Sequence, residues 1–419
     1  MTNAGNQQIN LIHISLFILN YSYCKRILFS IPCSMGTCYT HQLTLMPFYQ
    51  KINAASAEGK RTLKRLLELR KKLKAEVPEK HLETNLLLAT WNIREFGTTK
   101  YGGRTTEALY YIAEIISKFD IVAVQEVRKD LSTLEKLMSI LGANWEFMFT
   151  DVTEGSQGNE ERLTFIFDTR KVKFGGLAGE MVLKPLQKKD PVTGQTIYEP
   201  SNQLSRTPYI CGFKAGWTNF VLTTVHILYG TSAANDPGRI KEIESLATAM
   251  TAKAESKSEW SQNMILLGDF NIFSPKDSTL KAITNAGFVI PKSLQSLPSN
   301  ALKNKFYDQI AFKVRPDRFE TSGKAGVFDY YDTVFKVSDE KEYASAMGEA
   351  YEKTDNGKPR KDKAGYYKTY WGTFQMSDHL PMWVEIQIDH TDAYLGSRLL
   401  PPQKEDESTT APSKDAKKK

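Results

Sequence analysis

The chain has 419 residues, 41% of them hydrophobic and 25% charged, which excludes a disordered polymer and suffices to bury a sizeable core. Its formal charge of +7 favours an anionic partner, whether nucleic acid, a phospholipid headgroup or a phosphorylated metabolite. Of the four cysteines, Cys24, Cys33 and Cys38 crowd the first 38 residues and Cys211 sits alone, so neither a disulfide scaffold nor a zinc spacing is present.

Residues 1–45 differ in kind from the rest. The stretch "INLIHISLFILNYSYC" is too short and too interrupted by polar residues for a membrane span. It also lacks the basic start and small-residue cleavage site of a signal peptide. Met46 opens "MPFYQKINAASAEGK", which reads like an ordinary protein start, so 1–45 is expected to be an upstream extension, with a secretory leader as the alternative. On that basis a cytoplasmic location is favoured over secretion, and no stable membrane insertion is expected.

Residues 46–83 carry a charged helix over 57–76, with Leu63, Leu66, Leu67 and Leu73 on one side and its many Lys and Arg on a solvated face. The body, 84–390, then alternates. Strands are predicted at 85–93, 121–127, 145–150, 162–168, 207–213, 219–228, 308–314 and 382–388, together with the apolar run that starts at Met264. Helices are predicted at 106–119, 130–141, 236–254 and 278–288, the third with Pro237 near its start. This mixture predicts a layered α/β fold with large mixed sheets. Two long, charged, weakly periodic segments, 176–205 and 319–372, read as surface insertions bordering the active face. The stretch "PPQKEDESTTAPSKDAKKK" is polar and aromatic-free, and 391–419 is assigned to a disordered tail. No internal repeat or glycine-rich phosphate loop appears.

Polar residues recur at the ends of these strands. "LLGDFNIFSP" closes an apolar strand with Asp269 and Asn271, which would share one face of an extended chain. "TWNI" ends in Asn92, "VAVQEV" carries Glu126, and "EERLTFIFD" opens with Glu161. Arg206 precedes one strand, His226 sits within "LTTVHIL", Asp308 opens another, and "SDHLPM" sets Asp378 and His379 just before the last. Each alone has an ordinary structural explanation, such as a cap, a turn or a core histidine. Together they place carboxylates, amides, two histidines and an arginine at strand ends of one fold.

The set "TWNI", "VAVQEV", "LLGDFN" and "SDHLPM" resembles the endonuclease/exonuclease/phosphatase superfamily. "EERLTFIFD", "LSRTPYICGF", "LTTVHIL" and "FYDQIAF" are similar to its deoxyribonuclease I-like branch, and the likeness runs from about residue 84 to 389. The resemblance implies a four-layer αββα sandwich of two packed mixed β-sheets flanked by helices, with the site at one end of the sheets.

Phosphate-ester hydrolysis needs an attacking water, charge relief on the phosphoryl oxygens and help for the departing oxygen. Mg2+ binds through one or two carboxylates while keeping water and phosphate in its shell. Glu126 suits that task, with Asn92 beside it and Asp378 as a further ligand, and the resemblance implies the same set. Mn2+ is an alternative ion and Ca2+ is left open. Two histidines suit proton transfer on either side of phosphorus. By resemblance Glu161 orients His226 and Asp308 orients His379. Asp269 and Asn271 then position water and a phosphate oxygen, and Arg206 holds the phosphate.

The expected activity is a metal-dependent phosphodiesterase, in the first place an endonuclease with DNA as substrate. A phosphatase or sphingomyelinase-like phospholipase is the enzymatic alternative, and a catalytically silent binding protein the non-enzymatic one. His226 with Glu161 favours the deoxyribonuclease-like arrangement. "FYDQI" departs from the Trp-Cys-Asp-Arg run usual in inositol phosphatases.

Overall fold

A computed structural model describes residues 47–154, 159–199, 203–257, 260–315 and 319–399. The segment expected to be an upstream extension, 1–45, lies outside the described residues. So does the end of the expected tail, from 400 onward.

The N-terminal helix α1 (Ala57–Glu76) begins at Ser56, whose hydroxyl accepts the Gly59 N–H. Its buried side is formed by Leu66, Leu69 and Leu73, while Leu67 is 70% exposed. Of the expected stripe Leu66 and Leu73 are buried, while the place given to Leu67 belongs to Leu69, so that the buried positions follow i, i+3, i+7. The predicted solvated cationic face holds for Lys60, Lys64, Lys71 and Lys74, which are exposed, but not for the arginines. Arg61 pairs with Glu107 at 2.6 Å, Arg65 with Asp339 at 2.7 Å and Arg70 with Glu114 at 2.7 Å. These cations tie the helix to its neighbours.

Strand β1 (Asn85–Phe96) runs parallel to β2 (Ile121–Arg128), the two joined through helix α2 (Thr106–Ser117). After α3 (Ser132–Leu141), β3 (Trp145–Phe149) and β4 (Glu161–Asp168) continue the sheet by antiparallel pairing. β5 (Lys173–Glu180) and the hairpin β6 (Leu186–Lys189) with β7 (Thr196–Glu199) follow. β8 (Tyr209–Ala215) and β9 (Thr218–His226) lead through α4 (Pro237–Glu255) to β10 (Met264–Asp269), which is parallel to β9. After α5 (Ser278–Asn285) come β11 (Asp308–Lys313), β12 (Glu320–Val327) and β13 (Met382–Gln387). Among the described residues the strands form a six-stranded sheet, β12-β13-β1-β2-β4-β3, and a five-stranded sheet, β11-β10-β9-β8-β5. Each is mixed, built around one parallel pair with a helical crossover.

The period of two on β1 explains how these sheets stack. Leu86 and Leu88 enter the core between the sheets, with Phe165, Phe213, Leu222 and Ile265. Leu87, Ala89, Trp91 and Ile93 face the other way, into the helix layer with Leu69, Tyr111, Ile112 and Leu137. A strand covered on both faces must be apolar throughout, which is why the alternation of the sequence is so weak there. α4 and α5 cover the second sheet through Ile243, Leu246, Met250 and Ile283. The result is the expected layered sandwich.

The two long segments behave differently. In the first, β5 joins the edge of the second sheet, and the β6–β7 hairpin leaves Val192 and Tyr198 exposed. The second is not a surface insertion. β12 completes the edge of the first sheet, and Phe335, Tyr343, Tyr367 and Trp371 are buried in the helix-layer core. These aromatics stack on one another with ring centroids 4.8–5.9 Å apart. Irregular spacing hides them from any periodic reading. Residues 391–399, expected to lack structure, form a helix (Thr391–Leu399) whose first turn is tied by the Asp389 carboxylate accepting the Thr391 N–H. Its Tyr394 packs on Trp217 at 5.4 Å.

Candidate active site

The strand ends converge by register. Asp308, Asp269 and His226 are lateral neighbours on β11, β10 and β9, so three polar side chains stand abreast at one end of the second sheet. On the first sheet Asn92 follows Thr90 on the inward face of β1. Gln125 on β2 donates to Thr90 Oγ1 at 3.1 Å and to Thr224 Oγ1 of the opposite sheet at 2.9 Å. That bridge closes the apolar core. Beyond it, Asn92 Nδ2 donates across the sheets to Asp269 Oδ2 at 3.0 Å.

Glu126 arrives by a break in the pattern. Strict alternation after Ile121, Ala123 and Gln125 would aim it at the helix layer. Its backbone instead adopts φ 63°, where the pairing of β2 with both neighbours slips. That conformation is costly for a residue with a side chain and belongs to sites that need it. The carboxylate accepts from the Glu95 N–H at 2.7 Å and from Asn92 Nδ2 at 3.1 Å. Burial opposes its ionisation, but nearby His226 and these two donors hold it down to about 2.

Asp269 and Asn271 are neighbours for a reason other than the one expected. β10 ends at Asp269, and Asn271 turns back at φ 52° rather than continuing an extended strand. The Asn271 N–H donates to Asp269 Oδ1 at 2.9 Å, and its side-chain amide donates to the Ile227 carbonyl at 2.8 Å. Gly268 precedes them at φ 135°, where a Cβ would lie 2.2 Å from the Val225 carbonyl oxygen. Only glycine fits that approach.

Asp269 is the hub. Its Oδ2 lies 3.5 Å from His226 Nε2 and 3.6 Å from His379 Nε2. Each histidine has a second carboxylate behind it. Asp308 Oδ2 is 2.8 Å from His379 Nδ1, and Glu161 Oε1 is 3.1 Å from His226 Nδ1. Glu161 in turn is ion-paired with Arg206, whose Nη1 donates to the His226 carbonyl at 3.4 Å. In this arrangement Arg206 is engaged with the Glu161–His226 pair.

Electrostatics separates the two imidazoles. Burial, and then the Arg206 charge, push His226 down to about 4. Burial also works against His379, but the charges of Asp308 and Asp269 outweigh it and hold it well above the usual histidine value. Burial raises Asp308 and Asp378.

Sequence reasoning missed the frame of the loop that carries Asp378 and His379. Ser377 Oγ donates to the Asn92 carbonyl at 2.6 Å and accepts the His379 N–H at 3.0 Å. Tyr330 donates to the Ser377 and His379 carbonyls, Tyr331 to that of Ser377, and Trp91 Nε1 to that of His379, all at 2.7–3.0 Å. Trp91 lay within a recognised stretch, but nothing in the spacing pointed to Tyr330 and Tyr331.

Two donor sets are available for a cation. Glu126, Glu161 and His226 bring ligand atoms within 4.8 Å of one another. Glu161, however, is already neutralised by Arg206. The oxygen set fits a hard cation better: Asn92 Oδ1 is buried without a hydrogen-bond partner among the described residues, beside the ionised Glu126. Asp378 feels the Glu126 charge, which adds to the rise in its pKa.

No protein-family model matches the chain. It is 28% identical over 193 residues to a deoxyribonuclease of Thioalkalivibrio sp. (strain K90mix), a match spanning 45% of this chain and 46% of that enzyme, about half its length. It is also 28% identical over 267 residues to deoxyribonuclease-1 of Bos taurus, across 59% of this chain and 85% of that protein. These relatives support assignment of the chain to the deoxyribonuclease I-like endonuclease/exonuclease/phosphatase superfamily. Among solved structures it is similar to an endonuclease/exonuclease/phosphatase family protein from Bacteroides thetaiotaomicron, with 17% identity and a TM-score of 0.43 over 73% of this chain and 98% of that one. Among the described residues no helix is long and apolar enough to cross a membrane.

Proposed function

We propose that this protein is a divalent-metal-dependent endonuclease that hydrolyses DNA phosphodiester bonds. The observation that carries the proposal is the convergence of His226 and His379 on Asp269 Oδ2, each backed by its own carboxylate and pushed in opposite directions of titration. Pairs of titratable groups driven apart in this way are the signature of an acid and a base. The deoxyribonuclease relatives support DNA as the substrate.

Asn92, Glu126 and Asp378 would hold the metal, with Mg2+ preferred for an all-oxygen set. When bound it neutralises charge on the phosphoryl oxygens. The remaining work falls to the protein. Asp269 and Asn271 position the attacking water, and neutral His226 accepts its proton. His379, protonated, gives a proton to the departing oxygen. Glu161 and Asp308 fix the two imidazoles, and Arg206 holds Glu161 and donates to the His226 carbonyl. Net, water adds across one P–O bond.

The test is direct. Purified protein with Mg2+ is offered supercoiled plasmid, an inositol phosphate and sphingomyelin. Nicking of plasmid with little inorganic phosphate release is expected. Activity confined to the monoester or the lipid would reject the nuclease assignment.

A further inference from the structure

Beside Asp378 the surface opens into a cavity of about 350 Å³, within the range of roughly 300–1,000 Å³ typical of ligand pockets. Its walls include the rings of Tyr307, Tyr331, Phe335 and Tyr370, and Leu302 and Val337 stand at its rim. Leu302, Val337 and Tyr370 are 66%, 59% and 49% exposed, an unusual concentration of apolar surface around one concavity. Most of this wall comes from the second long segment. Residues Tyr367–Trp371 there form a wide π-type turn, a local distortion frequent at functional sites.

The cavity adjoins the reacting groups. Asp378 lines it, and the Tyr307 ring lies 5.3 Å from the His379 ring. Positive charge is also at hand. Lys368 lines the cavity with Arg94, whose guanidinium is fixed by donation to Thr373 Oγ1 at 2.5 Å. A planar group could therefore lie against these rings while an anion linked to it reaches the catalytic residues.

Resting on the nuclease assignment, we infer that the pocket takes an unpaired nucleobase next to the scissile phosphate, so that single-stranded or locally unpaired nucleic acid is cut in preference to intact duplex. Tyrosine faces stack any base, whatever its sequence. A base inside a duplex is already stacked and paired, and must be extruded at a cost before it enters. An inositol phosphate has no planar ring to offer these walls.

The experiment compares kcat/KM for three labelled substrates of one sequence: a single strand, its duplex, and the duplex with a one-base bulge. Wild-type protein is expected to favour the first and third. Tyr370→Ala should lower single-strand cleavage by roughly 5- to 100-fold, the worth of one base stack, and leave duplex nicking within about twofold. Tyr370→Phe, which keeps the ring, should retain the wild-type preference, and unchanged melting temperatures exclude a folding defect. Equal cleavage of all three substrates, or equal loss on single strand and duplex, would overturn this inference while leaving the nuclease standing. Failure to cut any nucleic acid, with sphingomyelin vesicles hydrolysed instead, would overturn both.

Discussion

His226 and His379 bring their Nε2 atoms to the same oxygen, Asp269 Oδ2, at 3.5 and 3.6 Å, although one extends from a strand of the second sheet and the other from a loop leading into the first. They share a carboxylate but not a protonation state. His226 is pushed down to about 4 by burial and by Arg206, whereas Asp308 and Asp269 hold His379 above its ordinary range.

That asymmetry sets a pH profile. Above pH 4 or so His226 has lost its proton and can accept another, and His379 keeps its proton past the ordinary histidine value before releasing it. Activity should therefore rise early, hold through neutrality and fall on the alkaline side. Removing the Asp308 charge lowers the His379 pKa, so Asp308→Asn should move the alkaline limb to lower pH. A pH–kcat profile in which that limb stays in place would remove Asp308 from its assigned role.

His226→Ala should reduce kcat by about 10²–10⁴-fold, the usual contribution of a positioned acid or base, with the fold intact by circular dichroism. His81 serves as the control. It is exposed ahead of β1 and engages Asn85 only through its backbone N–H, so its replacement should leave the rate alone. Wild-type turnover in the His226 variant would make that histidine a core residue and no more.

Chelation should abolish activity and Mg2+ should restore it. Glu126→Gln should cost about 10²-fold or more in kcat, because charge neutralisation at phosphorus is worth several kcal/mol. Titration calorimetry gives a readout independent of turnover: the heat of Mg2+ binding should vanish in this variant. Unaltered binding would shift the metal to another donor set, the group of Glu126, Glu161 and His226 being the first to examine.

The two long segments should differ in their effect on stability. Trp371 is 1% exposed in the aromatic cluster, so Trp371→Ala should destabilise by about 3–5 kcal/mol. Val192 is 91% exposed at the hairpin turn, and Val192→Lys should stay within about 0.5 kcal/mol of wild type. Chemical denaturation measures both. Similar small effects would mean that the second segment is peripheral after all.

A nuclease holds a long polyanion and releases counterions when it binds. Neutralising about six phosphates should weaken affinity roughly 10³-fold between 50 and 200 mM salt. Arg94 and Arg128 are candidates for these contacts, as are the lysines near 352–368. Lys353 and Lys363 already pair with Glu349 and Glu352, so their contribution should be smaller than that of Arg94. Plasmid nicking that ignores salt would point to a small phosphate ester instead.

By itself the sequence determined which residue types gather at the site and where along the chain they fall. An apolar run that ends in Asp269, or that carries His226 as its closing polar residue, is legible because burial selects side chains one position at a time. The lateral order of Asp308, Asp269 and His226 followed only when three strands paired in one register, and strand pairing is a long-range choice that no local spacing encodes. Glu126 and Asn271 reach the site through positive φ angles, which break the period of two on which sequence reading depends. The second long segment shows the same limit. Phe335, Tyr343, Tyr367 and Trp371 lie up to 36 residues apart and share no period, so their common core exists only once the chain folds back on itself, and the pocket beside Asp378 exists only with it.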